Sequence, residues 1–210
     1  MRRNMNFGGT ALLAACALLG GLLVALPVGA AFAQAGNAEI PEVGTEAPEF
    51  TLSTPEGKAV RLSSLLGRTA VVLIVLRGYP GSQNPECQKQ VHDFKAKADK
   101  FRALGVELLL VYPGPADQAS AKAREFLAPE GKLPSNFHLV VDPDYKMTKR
   151  YGLRWDAPHE TAYPATFVIA PDAEVRFCKV SGEHGDRTTA DEMLAEVAKA
   201  RQEEGGAVPR

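Results

Sequence analysis

The chain has 210 residues, 45% of them hydrophobic, with 24 basic side chains against 25 acidic ones and a formal net charge of −1. That length suits a single domain with a full core once a leader is set aside. A charge so near balance, with no basic patch and no internal repeat, argues against nucleic-acid binding.

Arg2 and Arg3 are the only charged residues before Glu39, and the apolar run "TALLAACALLGGLLVALPVGAA" lies between them. Small-residue sites follow at Ala31-Phe32-Ala33 and Ala33-Gln34-Ala35. Charge, apolar run and small-x-small site are the pattern of a secretory signal peptide. The run is long for a signal, so an uncleaved membrane anchor is the alternative. "LAAC" at 13–16 resembles a lipoprotein box, which would make Cys16 a lipidated terminus, but the apolar run continues past it. The pattern predicts a signal peptide over 1–35, a short linker over 36–42, one domain over 43–203 and a disordered tail over 204–210. The protein is then exported and periplasmic, or anchored to the membrane and facing the periplasm if the segment is uncleaved or lipidated. Without Arg2 and Arg3 the chain keeps 22 basic residues against 25 acidic, a net of −3. It also keeps two cysteines, Cys87 and Cys178, too few for a disulfide-stapled scaffold. They form one disulfide or leave a free thiol.

Along the chain, "GTEAPEFTLSTPEGKAVRL" (44–62) predicts two short strands around the turn Pro55-Glu56-Gly57. "SSLLG" predicts one helical turn stopped by Gly67. "TAVVLIVLR" (69–77) is a continuous apolar, β-branched run, as in a strand covered on both faces. From Glu86 to Leu104, apolar residues at 87, 91, 94, 98, 101 and 104 define one face of one helix. A second strand (105–113), a helix (116–128), a third strand (137–143) and a short helix ending near Gly152 follow. A hairpin (165–181) turns at Pro171-Asp172, and a last helix opens with the capping box Thr189 and Glu192. This order predicts an α/β domain whose parallel core ends in an antiparallel pair. Ligand sites on such sheets lie beyond the C-terminal ends of strands.

"RGYPGSQNPEC" (77–87) occupies one of those places. Cys87 stands in the first turn of the helical pattern, near unpaired N–H groups and the positive end of the helix dipole. That setting favours a thiolate, and Arg77 at the strand end adds positive charge. Pro85 sits where a helix accepts proline, and Asn84 before it can cap the helix and aim its amide at whatever approaches the thiol. The bland alternative is that Cys87 only begins the apolar stripe, since free cysteine is among the most buried residue types.

"YPGSQNPEC" resembles the active-site signature of the peroxiredoxins, with Pro80, Asn84 and Cys87 on its proline, threonine and cysteine positions. "GTEAPEFTL" (44–52) is similar to that family's first strand, and "YPATFVIAPDAEV" (163–175) to its late strand and hairpin. The resemblance spans roughly Val43 to Ala198 and identifies the chain as a redoxin of the alkyl hydroperoxide reductase and thiol-specific antioxidant superfamily. It implies a thioredoxin-like fold, a central mixed sheet flanked by helices with an N-terminal β-hairpin extension. It also implies a thiol peroxidase in which Cys87 attacks a hydroperoxide and becomes a sulfenic acid. Pro80 would shield the pocket, Asn84 would orient the peroxide, and Tyr79, Pro164, Arg154 and Trp155 are candidates to line it. The partners implied are a peroxide and an external thiol reductant such as a thioredoxin-like protein, with a homodimer left open and no cofactor or metal.

Two positions depart from the family. Asn84 replaces its threonine, and Pro164 stands where peroxiredoxins carry an arginine and thioredoxins a cis-proline. The arginine would then come from Arg77, Arg154 or Arg176, or be absent. Two alternatives follow: a monothiol thiol–disulfide oxidoreductase, since "NPEC" is a C-x-x-C motif without its first cysteine, and an idle redoxin domain kept for binding. Cys178, in "VRFCKVS", is expected to pack within a strand; as a resolving cysteine it would need its Cα within about 7 Å of that of Cys87. The histidines at 92, 138, 159 and 184 show no metal-ligand spacing. "LRWDAPHETAYP" (153–164), with Trp155, His159 and Tyr163, either walls the thiol pocket or simply crosses the sheet.

Overall fold

The computed structural model describes residues 38–67 and 69–206, with 203–206 described by backbone alone. The expected signal peptide, Cys16 and residues 207–210 of the expected tail lie outside the described residues.

Seven strands form one mixed sheet: β1 (Thr51–Ser53), β2 (Ala59–Arg61), β3 (Ala70–Val75), β4 (Val106–Gly114), β5 (Phe137–Pro143), β6 (Ala165–Ile169) and β7 (Val175–Val180). Their order is β2-β1-β5-β4-β3-β6-β7. β3, β4 and β5 run parallel, β6 runs antiparallel beside β3, and β7 antiparallel beside β6. This is the expected central mixed sheet, and the short β1–β2 pair is the N-terminal hairpin. Every residue of β3 is buried, as its continuous apolar run predicts.

Period-two alternation sorts the core into two layers. Val72, Ile74, Leu108, Leu110, Tyr112 and Val168 face Val91 and Phe94 of α2 (Pro85–Ala96), Phe101 of α3 (Ala98–Ala103) and Phe126 of α4 (Ala119–Leu127). Met193 and Val197 of α6 (Ala190–Gly206) close the same layer. Val71, Leu73, Val75, Leu109, Val111 and Phe167 face the other way, toward Leu62 of α1 (Leu62–Leu65), Met147 of α5 (Lys146–Arg150) and Tyr151. Each such side chain contributes about 1.5–3 kcal/mol by leaving water.

Three elements differ from the sequence expectation. The single helix over 86–104 is two, broken at Lys97 (φ −110°, ψ 15°). The apolar stripe keeps its face through Phe101, so periodicity does not register the break. Lys97 is instead tied to Asp93 at 3.1 Å and, on α6, to Asp191 at 2.8 Å. α4 begins at Ala119 rather than 116, because Pro115 closes a turn through its carbonyl to the Gln118 and Ala119 N–H groups. α6 runs to Gly206, three residues past the expected domain end. The capping box forms, with Thr189 Oγ1 accepting from Glu192 N at 3.2 Å and Glu192 Oε2 accepting from Thr189 N at 3.3 Å.

Candidate active site

The site begins where β3 leaves the sheet. Leu76 N–H still bonds to the Val111 carbonyl at 2.9 Å, and the chain then turns out through Gly78 at φ +74°. A Cβ there would overlap the Pro113 carbonyl on the neighbouring strand, so the turn requires glycine. The loop re-enters at Asn84, whose Oδ1 accepts from Glu86 N at 2.9 Å and Cys87 N at 3.0 Å, and Pro85 follows at the first helical position.

Cys87 is 1% exposed, packed at the start of the apolar layer that α2 presents to the sheet. Its Sγ accepts from the backbone N–H of Arg77 at 3.4 Å. The helix start alone predicts a thiol pulled downward, and here the structure corrects the expectation. Burial pushes the Cys87 thiol up, and the Arg187 guanidinium, the Arg77 N–H and the Arg77 guanidinium pull it back without overcoming that burial.

Arg187 is the arginine that sequence reasoning missed. Its Nε donates to the His184 carbonyl at 3.0 Å, while Nη1 and Nη2 are buried with no hydrogen-bond partner. An unpartnered buried guanidinium is costly, and such groups cluster where a ligand or a charge is to be met. The signal that could have found it is the capping box. Helix starts mark sites on such sheets, and Arg187 lies two residues before the Thr189 cap.

A network ties the two arginines together. Arg77 Nε donates to Glu160 Oε2 at 2.8 Å and Arg77 Nη2 to the His159 carbonyl at 2.7 Å. Glu160 Oε1 meets His184 Nε2 at 3.1 Å, and the Thr161 hydroxyl donates to the Arg77 carbonyl. Burial works against the Glu160 carboxylate, but Arg77 and His184 outweigh it and hold the carboxyl below its ordinary value. Beside Arg187, Thr188 Oγ1 bonds to Thr166 Oγ1 at 2.8 Å and to Gln90 Nε2 at 3.1 Å, while Gln90 Oε1 is buried without a partner.

The other predicted residues divide. Arg77 and Asn84 flank Cys87, although the Asn84 oxygen is spent on the cap and only its amide nitrogen is left to donate. Pro80 and Tyr79 are half-buried in the β3–α2 loop, with Lys122 of α4 lying 4.5 Å over the Tyr79 ring. Pro164 is buried one step beyond the Val75–Ala165 pair, beside the end of β3. Arg154 is not the missing arginine: it lies 4.2 Å over the Tyr145 ring and bonds to the carbonyls of Trp155, Glu160 and Thr161. Arg176 is spent on Asp172 and Glu174 at the β6–β7 turn. Trp155 stacks on Tyr163 with centroids 4.6 Å apart and lies 5.3 Å from His184. The 153–164 segment therefore joins the site through the His159 carbonyl, Glu160 and Thr161 rather than through its aromatic rings. Cys178 pairs with Phe167 in the sheet and packs against the layer opposite to Cys87. Both thiols are free, and the intact sheet keeps them on different faces. Among the described residues, no group of three or more His, Cys, Asp or Glu gathers to hold a metal ion.

A buried thiol at a helix start, faced by two arginines at the C-terminal end of a central strand, defines a redoxin site on a thioredoxin-like fold. Residues 43–178 match the AhpC/TSA family, and the chain belongs to that family. It is 32% identical over 134 residues to the chloroplastic peroxiredoxin Q of Oryza sativa subsp. japonica. That match takes in 64% of this chain and 57% of the rice protein, so the chain spans little more than half the length of that curated relative. Among solved structures it is similar to the peroxidoxin BcpB of Mycobacterium tuberculosis, with a TM-score of 0.62, 23% identity and coverage of 76% of this chain and 97% of that one. It is likewise similar to the AhpC of Enterococcus faecalis, with a TM-score of 0.64, 17% identity and coverage of 81% and 100%. At these identities the structural matches speak for the fold.

Proposed function

We propose that this chain is a thiol peroxidase that reduces hydrogen peroxide or organic hydroperoxides through Cys87, acting outside the cytoplasm and recycled by an external thiol. One observation carries the reading: the buried Cys87 sulfur faces Arg187, whose terminal nitrogens have no other partner. The Cys87 thiolate attacks the terminal oxygen of ROOH, the S–O bond forms, and the O–O bond breaks. The leaving RO⁻ takes a proton to become ROH, and Cys87 is left as a sulfenic acid. Arg187 would steady the charge growing on the leaving oxygen, the task the family gives to the residue at Pro164. A thiol R′SH then condenses with the sulfenic acid, releasing water and forming a mixed disulfide. A second R′SH displaces Cys87 as the thiol and leaves as R′SSR′. Cys178, on the far face of the sheet, takes no part. Export rests on the N-terminal sequence pattern alone.

The near-complete burial of Cys87 favours a second reading, an idle redoxin domain kept for binding. Peroxide consumption by the wild type and by Cys87→Ser, with a sulfenic-acid trap, separates the two. The peroxidase predicts turnover and a trapped adduct that are both lost in the variant. Equal rates with no adduct would leave the idle domain standing.

A further inference from the structure

Among the described residues, Glu160 is the carboxylate that touches both elements carrying the arginines of the site. Oε2 accepts from Arg77 Nε at 2.8 Å, and the Arg77 backbone N–H reaches Cys87 Sγ at 3.4 Å. Oε1 meets His184 Nε2 at 3.1 Å, and the His184 carbonyl accepts from Arg187 Nε at 3.0 Å. One oxygen fixes each arm. The Glu160 side chain is 13% exposed, so its contact with Arg77 is shielded in a way that surface pairs are not. Arg154 already closes the 153–162 segment on itself through three carbonyls. The outward contacts of Glu160 add nothing to that closure and lead only to the thiol pocket.

We infer that Glu160 is a positioning residue for the Cys87 chemistry: its carboxylate holds Arg77 and, through His184, Arg187 where both face the sulfur. The inference rests on the reading of Cys87 as the reacting thiol. A carboxylate acts on a thiol with two signs, since its own charge opposes the thiolate while its hold on the cations favours it. The groups that face Cys87 are Arg187 from the loop before α6, Arg77 from the end of β3 and Tyr112 from β4. Glu160 reaches the sulfur only through its partners, so its hold on the arginines sets the sign.

The test measures iodoacetamide alkylation of Cys87 in the full chain against pH, followed on the Cys87 peptide by mass spectrometry. The plateau reports access to the thiol, and the midpoint reports its ionisation. Glu160→Ala moves the midpoint up by about one pH unit, and Glu160→Asp brings at least part of it back. Glu160→Gln, which keeps an acceptor for Arg77 without the charge, falls between. The rate constant with peroxide falls in parallel. A midpoint that stays or moves down in Glu160→Ala, with an unchanged melting temperature, overturns the inference. If that variant does not fold, His184→Ala releases only the Arg187 arm; it must move the midpoint the same way by less, and an unmoved midpoint overturns the inference. Alkylation uses no peroxide, so failure of the peroxidase reading shows in the Cys87→Ser assay and not here.

Discussion

Cys87 and Cys178 are the same side chain on two faces of one sheet, and burial pushes both thiols up. Their neighbours differ in sign. Arg187 and Arg77 face Cys87 and oppose its burial, whereas Glu42 beside Cys178 pushes the same way that burial does. Burial makes both thiols quiet. Among the described residues, Cys87 has positive charge at hand to stabilise an anion formed there and Cys178 does not, so the comparison teaches that the charge around each sulfur is what separates the two thiols.

The widest separation comes from removing each sulfur in turn. Cys87→Ser abolishes peroxide consumption and sulfenic-acid trapping, and Cys178→Ser leaves both at the wild-type level; loss in both variants would erase the distinction. Next in size is the charge facing Cys87. Arg187→Ala lowers the peroxide rate constant about a hundredfold, as the loss of a donor at a developing oxyanion does, while Arg176→Ala does not change it. A competition assay against a second peroxidase reads both.

A third effect uses pH. A thiol whose folded pKa is raised favours the fold while it stays neutral; above the ordinary thiol value, near 8.5, the unfolded chain gains by ionising first. The melting temperature of the wild type therefore falls as pH rises above about 8.5, and Cys87→Ala flattens that fall more than Cys178→Ala does, because Cys178 is only half-buried. The smallest effect sharpens the local frame. Asn84→Ala costs about 1 kcal/mol in denaturant unfolding through the lost cap, and Asn84→Ser recovers most of it. If Asn84→Ser is nonetheless slow with peroxide, the amide nitrogen has a role beyond the cap.

Much of the scaffold was legible in the sequence. The β-branched run at 69–77, the turn residues at 55–57 and 171–172, and the Thr189–Glu192 box each name their element through local physics, and each element formed. Asn84 and Pro85 likewise mark the start of α2, in whose first turn Cys87 stands. The rest depends on contacts distant in sequence. The break at Lys97 goes with an ion pair to Asp191, and no local pattern carries that. The direction of the Cys87 shift reversed because the helix start is visible in eleven residues, while the burial that outweighs it comes from helices more distant in the chain. Arg187 carries no local mark of its own: it lies on a loop 23 residues beyond Pro164, and only the folded chain brings it to Cys87.

The match to the family covers residues 43–178 and stops nine residues before Arg187. A chain cut at Cys178 would keep every residue of the signature, yet would lack Arg187, His184, Thr188 and the whole of α6, whose Ala190, Met193 and Val197 roof the layer that holds Cys87. Arg187 also lies 100 residues downstream of the thiol it faces. On a chain that emerges N-terminus first, Arg77 and the sulfur are delivered long before Arg187. The thiol pocket is therefore among the last parts of the molecule to exist, and it is completed only as the C-terminal helix docks.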